Sequence, residues 1–409
     1  MTTHPLYLYD DARARAFEPF ALTRPAGELR AGAEIVRRRW ERALGARAAG
    51  FIGAPHLATF EELDAPPAAG ETLPAGAIIA NSRCIPSLRH SAEPASGVWW
   101  CDGRVAAVRL PAPLEVAPLA DGVVALEAIA PPSSHASRGG AMHGWWADEV
   151  WHYLRDLSAQ LADDVPHLAA TLELDEIPAH ATTLGEHAVH VERGATIEPF
   201  VVLDATAGPI LVRRGTVVQS FTRIAGPCYV GEGSTIVGDR VSGCSIGDVC
   251  KVRGEISASI VLGHTNKGHD GFVGHSYLGR WVNLGAGTTT SNLKNTYGAV
   301  ALWTPDGVRD TGMQFLGTLF GDHAKTGIGL RLTTGTVVGA GANIYGSQMP
   351  PKAVPPFAWG DGAPYDSYAI DKFVRVAERA MSRRHVALGD GARRTLAVAH
   401  ALARESASW

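Results

Sequence analysis

The stretch PCYVGEGSTIVGDRVSGCSIGDVCKVRG, residues 227–254, carries two spacings at once. Val230 and Ile236 stand six apart, and so do Ile246 and Val252. Two places before each of them stands a small residue: Cys228, Ser234, Cys244 and Cys250. A triangular β-helix requires this pattern. Each side of the coil is one short strand, a single large apolar side chain per side fills the interior, and its companion must be slight. A fixed short period of this kind means a solenoid, in which stacked neighbours supply the core that one coil lacks.

The same period extends both ways. Val191, Ile197 and Leu203 form one run, Leu211 and Val217 another, and Leu278 and Leu284 a third. Leu332, Val338 and Ile344 close the series, in phase with Phe320. Ala195, Val201, Gly215, Ser276, Val282, Thr336 and Ala342 fill the companion positions, almost all small. The pattern predicts a left-handed parallel β-helix of hexapeptide repeats over 191–344. It makes Cys228, Cys244 and Cys250 inert core spacers, since burial in an apolar column raises a thiol's pKa. The period fails over 288–317, which predicts an excursion off the coil, and such excursions tend to carry function.

The first half has a different grammar. LYLY (6–9) and the run 77–80 read as strands, and 31–44 as a helix with Ile35, Val36, Trp40, Ala43 and Leu44 on one stripe. Residues 145–165 read as one helix carrying Trp146, Val150, Tyr153, Leu154 and Leu157. The Pro- and Ala-rich stretches 64–76 and 130–132 read as surface connections. The tail 366–409 returns to helix, with Ala369, Phe373, Val376 and Ala380 on a docking stripe. The expected division is an α/β domain over 1–178, the β-helix over 179–352 and a helical tail over 353–409, as a chain of 409 residues exceeds one ordinary core.

Composition excludes some partners. The formal charge is −4 with no basic tract, which argues against nucleic acid or an anionic membrane surface. No run approaches the roughly 20 apolar residues of a membrane span, and the N-terminus is too acidic for a signal peptide. Five cysteines, an odd number in a long chain, argue against a disulfide framework and for a reducing, cytoplasmic setting.

The densest polar constellation is GHTNKGHDGFVGHSYLGRWVNLGAG (263–287), with His264, Lys267, His269, Asp270, His275 and Asn283, followed by Asn292. Acyl transfer to an amine needs a general base near neutrality, which favours histidine. It also needs N–H donors for a tetrahedral oxyanion, which the backbone of NLGAG offers at 284–287. A phosphorylated acceptor needs a cation, for which Lys267 and Arg280 are available. The alternative is zinc held by His264, His269 and His275, as in γ-class carbonic anhydrases. A third reading is a non-catalytic sugar-nucleotide-binding regulator.

Residues 266–298 resemble the acetyltransferase segment of bifunctional N-acetylglucosamine-1-phosphate uridyltransferase/glucosamine-1-phosphate acetyltransferase enzymes. The resemblance rests on NKGHDGFVGHSYLG (266–279), VNLGAGT and SNLKNTYG (291–298). With LTRPAGELRAG (22–32) and GDHAKTGI (321–328), the chain is similar to the shorter sugar nucleotidyltransferase relatives of that enzyme. In these a reduced nucleotidyltransferase-like domain precedes the β-helix. The resemblance implies acetyl transfer from acetyl-CoA to glucosamine 1-phosphate or a related amino sugar. It also implies uridylyl transfer to N-acetylglucosamine 1-phosphate, using a nucleoside triphosphate and Mg²⁺, by the first half. His275 becomes the base, and Asn283 and Asn292 contact the sugar. Ala286, with Gly285 and Gly287, lines the acetyl-CoA channel. Arg24, Gly27 and Arg30 are the expected nucleotide-binding residues, with Asp102 or Asn81 as the metal position. Anchoring of the loop by Arg24 and Arg30 is the competing reading. The family expectation for assembly is a homotrimer. The match departs at Leu293, where the family has tyrosine, and GHSYLG is one residue shorter.

Overall fold

A computed structural model describes residues 4–91, 94, 96–130 and 141–405; of the connection expected at 130–132, residues 131 and 132 lie outside them. The chain forms two compact units. One comprises residues up to 17, 21–152 and 389–399; the other comprises 18–20, 153–388 and the residues from 400 on.

The first unit is built on a five-stranded sheet. Its order is Ala48–Ile52, Leu6–Tyr9, Ile78–Asn81, Arg104–Arg109 and Val98–Cys101; the first three are parallel, and Arg104–Arg109 pairs antiparallel with both of its neighbours. Tyr9, Ile52, Ile79, Val98 and Val108 pack on one another in its core. The helix expected over 31–44 is shorter, Val36–Leu44. Arg30–Ala31 and Glu34–Ile35 instead pair antiparallel, because Gly32 takes φ +57° and turns the chain back. Trp40 and Ala43 are buried as the stripe requires, and Gly45 ends the helix in the left-handed region. The single helix expected over 145–165 is broken. Gly144–Trp146 is a strand paired with Cys84–Pro86, and helix appears only at His152–Arg155 and Leu157–Ala169. The Trp146 indole N–H donates to the Cys101 carbonyl, so tertiary pairing overrides the local helical pattern.

The second unit is the β-helix: ten strands on one face, ten on the second and six on the third, with the third continued by Thr289–Thr290 and Arg331–Leu332. The first interior column runs Val191, Val212, Val230, Ile246, Val261, Leu278, Phe320, Val338 and Val354, each paired with the next in parallel register. Ile197, Val218, Ile236 and Val252 form the second, and Leu203, Ile224, Val241, Ile256 and Val273 the third. Each such side chain contributes about 1.5–3 kcal/mol on full burial, so three per coil, repeated, hold the solenoid.

The expected phase slips once. Val212 and Val218, not Leu211 and Val217, enter the interior, and Thr216 replaces Gly215 as the small companion. Val191 pairs with Val212 but Val212 with Val230, so the first of these coils is three residues longer than the next. Leu211 is buried on the outer row of the first face, with Tyr229 and Tyr277, where helix Leu157–Ala169 packs. Cys228, Cys244 and Cys250 are buried, free and in the core; burial pushes the Cys244 thiol up to about 12.

One departure from regularity matters for the site. The excursion leaves after Thr290 and returns at Thr318, carrying an antiparallel hairpin, Ala301–Thr304 with Gly307–Asp310. The corner after the first face takes a positive φ coil after coil, at Gly194, Gly215, Gly233 and Gly341 and equally at Val249, His264, Trp281, His323 and Phe357. The tail forms two helices, Ile370–Ser382 and Asp390–Glu405; the buried stripe of the first is Phe373, Ala377 and Met381, with Val376 and Ala380 at its border. No helix among the described residues is long and apolar enough to cross a membrane.

Candidate functional site

His275 stands at the corner between the third and first faces, where the excursion departs. Its φ is +46°, and the corner is pinned by its N–H to the Ser257 carbonyl and by the Gly317 N–H to its own carbonyl. The excursion supplies both neighbours of the ring. Asn292 Nδ2 lies 2.9 Å from His275 Nδ1, and Phe315 stacks on the imidazole at 5.2 Å and 24°. Burial among these groups pushes the His275 pKa below its ordinary value, so the imidazole is neutral at pH 7. The amide of Asn292 can turn by 180°; with Oδ1 accepting from Nδ1–H, the lone pair resides on Nε2. Gly274 makes room for this pair. A Cβ there would lie 2.5 Å from Phe272 Cζ and 2.6 Å from Asn292 Nδ2.

The other expected residues of the second half stand elsewhere. Asn283 is exposed on the outer row of the second face and accepts from Asn266 Nδ2 at 2.8 Å. Gly285, Ala286 and Gly287 follow it on the same coil; the Gly285 N–H donates to the Thr326 carbonyl and hydroxyl, and the Gly287 N–H to the Asp270 carbonyl. Those two N–H groups are therefore engaged within the coil. Arg280 is at another corner, buried, with its guanidinium 3.2 Å from His264 Nδ1 and its N–H on Asp322.

Lys267 requires a correction. It follows Val252 in the second interior column, and its side chain enters the coil. Nζ donates to the carbonyls of His269 at 2.6 Å, Asp270 at 2.7 Å and Arg253 at 3.3 Å. With the residue 1% exposed, its ammonium closes a coil from inside and does not face a sugar phosphate. Burial lowers its pKa to about 8.

The zinc alternative finds no support in geometry. Among the described residues no three His, Cys, Asp or Glu side chains gather as a metal would need. His264 instead lies against Trp281, ring centroids 4.5 Å apart and tilted by 44°, while His275 joins Asn292.

The first unit also departs from the expected site. Arg24 is 2% exposed and forks onto Glu62, at 2.9 and 3.2 Å. Arg30 is buried and donates to the Ala33 carbonyl. Gly27 is buried, and a Cβ there would meet Leu8 Cγ at 3.2 Å, so its smallness serves packing on the strand. The anchoring reading of this loop is the one the geometry favours. Asp102 is exposed in the turn between Val98–Cys101 and Arg104–Arg109, with φ +49° followed by Gly103 at +74°. This is the Asp-Gly of a tight hairpin, both central residues left-handed, and it does not fit a Mg²⁺ ligand.

Sequence reasoning missed a different cluster, at the carboxyl ends of the parallel strands Leu6–Tyr9 and Ile78–Asn81, where α/β sheets place their ligands. Asp10 is buried, accepts from the Ala26 N–H at 2.9 Å, and burial raises its pKa to about 6. Asp11 is held by Arg83 at 2.7 Å and by Asn81 Nδ2 at 2.9 Å. Arg83 and Arg104 both reach Asp148, and Arg104 lies 3.8 Å over the Trp146 ring. The paired aspartates after the first strand were the available signal. Their convergence with Arg83 and Asp148 has no sequence periodicity. Because guanidinium groups already occupy Asp11 and Asp148, this cluster as arranged does not fit Mg²⁺ either.

Fold and site together define a left-handed β-helix protein with a nucleotidyltransferase-like domain before the coil. Residues 6–172 match the family described as sugar nucleotidyl transferase. The chain is related to bifunctional sugar-1-phosphate nucleotidyl- and acetyltransferases. It is 32% identical over 108 residues to the bifunctional protein GlmU of Jannaschia sp., covering 25% of this chain and 23% of that one. It is 32% identical over 91 residues to the bifunctional sugar-1-phosphate nucleotidylyltransferase/acetyltransferase of Sulfurisphaera tokodaii, covering 22% and 23%. The matched stretches thus span about a quarter of those relatives' own lengths. A solved structure of the Bacillus cereus N-acyltransferase AntD aligns with 49% of this chain at 11% identity and a TM-score of 0.22, a likeness too slight to carry an argument.

Proposed function

We propose that the protein is a transferase that acetylates the amine of an amino-sugar phosphate from acetyl-CoA, with His275 as general base. The observation that carries this is the assembly of Asn292 and Phe315, both from the excursion, around a neutral imidazole. The amine nitrogen attacks the thioester carbonyl, and His275 Nε2 takes the amine proton. The C–N bond forms, the C–S bond breaks, and the proton passes to the departing thiolate. Asn292 fixes the tautomer, and Phe315 keeps water from one face of the ring.

Within one chain His275 and the 283–287 segment occupy different faces of the coil. The reading therefore includes a homotrimer, in which a neighbour's 283–287 segment completes the site. Five free, buried cysteines agree with a cytoplasmic, reducing setting. Gly274→Ala should lower kcat for acetyl transfer about tenfold by displacing Asn292, with KM for acetyl-CoA unchanged. A kcat equal to wild type would remove Asn292 from the mechanism.

For the first unit, the family match supports nucleotidyl transfer to a sugar 1-phosphate. The ion pairs that fill its strand-end cluster favour a second reading, a nucleotide-binding module without turnover. Pyrophosphate release from UTP with N-acetylglucosamine 1-phosphate separates them. Release that is lost in Asp10→Asn supports catalysis; no release with any of the four nucleoside triphosphates supports the module.

A further inference from the structure

Three arginines converge on one short segment at the strand-end cluster of the first unit. Arg83 forks onto Asp11, with Nε at 2.8 Å and a terminal nitrogen at 2.7 Å, and turns its other terminal nitrogen to Asp148 Oδ1 at 2.5 Å. Arg104 reaches the same Asp148 oxygen at 2.9 Å. Arg13 donates to the Asp148 carbonyl and to the Glu149 carboxylate, at 2.5 and 2.6 Å. A guanidinium fork matches carboxylate and phosphate alike, so an oxygen shared by two of them marks a seat that a phosphate oxygen can take. The seat lies at the carboxyl ends of parallel strands, where open α/β sheets bind their ligands.

The two carboxylates on Arg83 are not equivalent. The Asp11 side chain is the inner one, 16% exposed, and also accepts from Asn81; that of Asp148 is 37% exposed. The Asp148 backbone is fixed independently, its N–H on His152 Nδ1 at 3.2 Å and its carbonyl on Arg13. A change of side-chain rotamer alone therefore takes the carboxylate off the arginines. What remains is already in place. Arg104 lies 3.8 Å over the Trp146 ring, whose N–H is tied to the Cys101 carbonyl, and Arg83 stays forked on Asp11. Arg13, Arg83 and Arg104 are balanced by Asp11, Asp148 and Glu149, so with Asp148 turned away one positive charge is left over at the seat.

We propose that Asp148 is an internal plug on a metal-independent phosphate site: a phosphate ester displaces its carboxylate and is held by Arg83 and Arg104. Their fixed positive charge stands where a divalent cation would otherwise neutralise the phosphate. Nucleotides and sugar phosphates both carry such an ester. This rests on the reading of the first unit as a binding module without turnover, and adds to it the seat, its freedom from metal and its internal competitor. The competitor weakens apparent affinity in proportion to the share of molecules whose seat is blocked.

The test is calorimetric titration of the full chain with UTP and with N-acetylglucosamine 1-phosphate, in EDTA and again with Mg²⁺. At least one should bind in EDTA, more weakly as salt rises, and Mg²⁺ should not tighten it. Asp148→Asn, which keeps the shape of the side chain and removes its charge, should lower Kd about fivefold or more. Arg104→Ala should raise it about tenfold or more. A variant that merely loosened the fold could not bind more tightly, so the opposed directions separate competition from damage. The probe that binds more tightly identifies the source of the phosphate. Binding that needs Mg²⁺ overturns the metal-independent site and leaves the binding-module reading standing; no binding of either probe in either condition overturns both. An unchanged or higher Kd in Asp148→Asn overturns the plug, and an unchanged Kd in Arg104→Ala overturns the seat.

Discussion

His275→Ala is expected to lower kcat for acetyl transfer by about 10²–10⁴-fold, the range that a positioned general base supplies. KM for acetyl-CoA should change little, since the imidazole acts on the acceptor amine. The pH profile gives an independent check. Burial depresses the His275 pKa, so the neutral, basic form persists to lower pH than for a free imidazole. Activity should therefore hold through neutrality and fall only as pH drops below about 6.5, the unperturbed value. In the alanine variant that acidic limb should disappear from the residual rate. Acetyl transfer that survives His275→Ala with its limb intact would place the base elsewhere.

The second large effect concerns folding. Lys267→Ala removes the donor to three carbonyls and leaves a void in the second interior column. The Asp270 carbonyl keeps the Gly287 N–H, but each carbonyl left unpaired costs about 1–3 kcal/mol and the void adds to it, so a net loss of about 3 kcal/mol is expected. Thermal denaturation should show it as a clear drop in Tm. Lys267→Met refills the volume but offers no donor, so it should recover the part of the loss due to the void and leave the part due to the carbonyls. The same variants distinguish this role from phosphate recognition. A sugar-phosphate lysine would give a raised acceptor KM at unchanged Tm, the opposite signature. Linkage supplies the sign with pH: a lysine whose folded pKa falls from 10.5 to about 8 disfavours the folded state below pH 8. Wild-type stability should therefore gain from this group as pH rises from about 8 to 10.5, and the methionine variant should lack that rise.

The β-helix was legible because its interior accepts so few side chains. Val230, Ile236, Ile246 and Val252, with their small companions, satisfy a geometric demand that no other fold makes at this spacing. The slip at Val212 and Val218 came from a longer coil combined with a buried outer row. Leu211 is as apolar and as hidden as Val212, and only the pairing distinguishes them. Lys267 was misread because lysine is ordinarily solvated; the three carbonyls that hold it are contributed by neighbours in space. His275 and Asn292 were both legible as polar residues flanking an interruption, whereas Phe315, an exposed aromatic on the excursion, carried no signal of its own. In the first unit the Asp102–Gly103 dipeptide was a readable hairpin turn. The Asp11–Arg83–Asp148 cluster joins three distant segments and lies beyond what spacing can reveal.

The excursion has one more consequence. Leu278 pairs directly with Phe320, Leu284 with Thr326 and Thr290 with Leu332, as though the excursion between Thr290 and Thr318 had never been inserted. Chain departs from one rung and re-enters at the next with the ladder unbroken. The intervening segment is thus an exchangeable cassette: its length and tip can drift, or be swapped between relatives, without disturbing a single interior column. A protein built this way can change the side chains it sets beside His275 while its scaffold remains under separate selection.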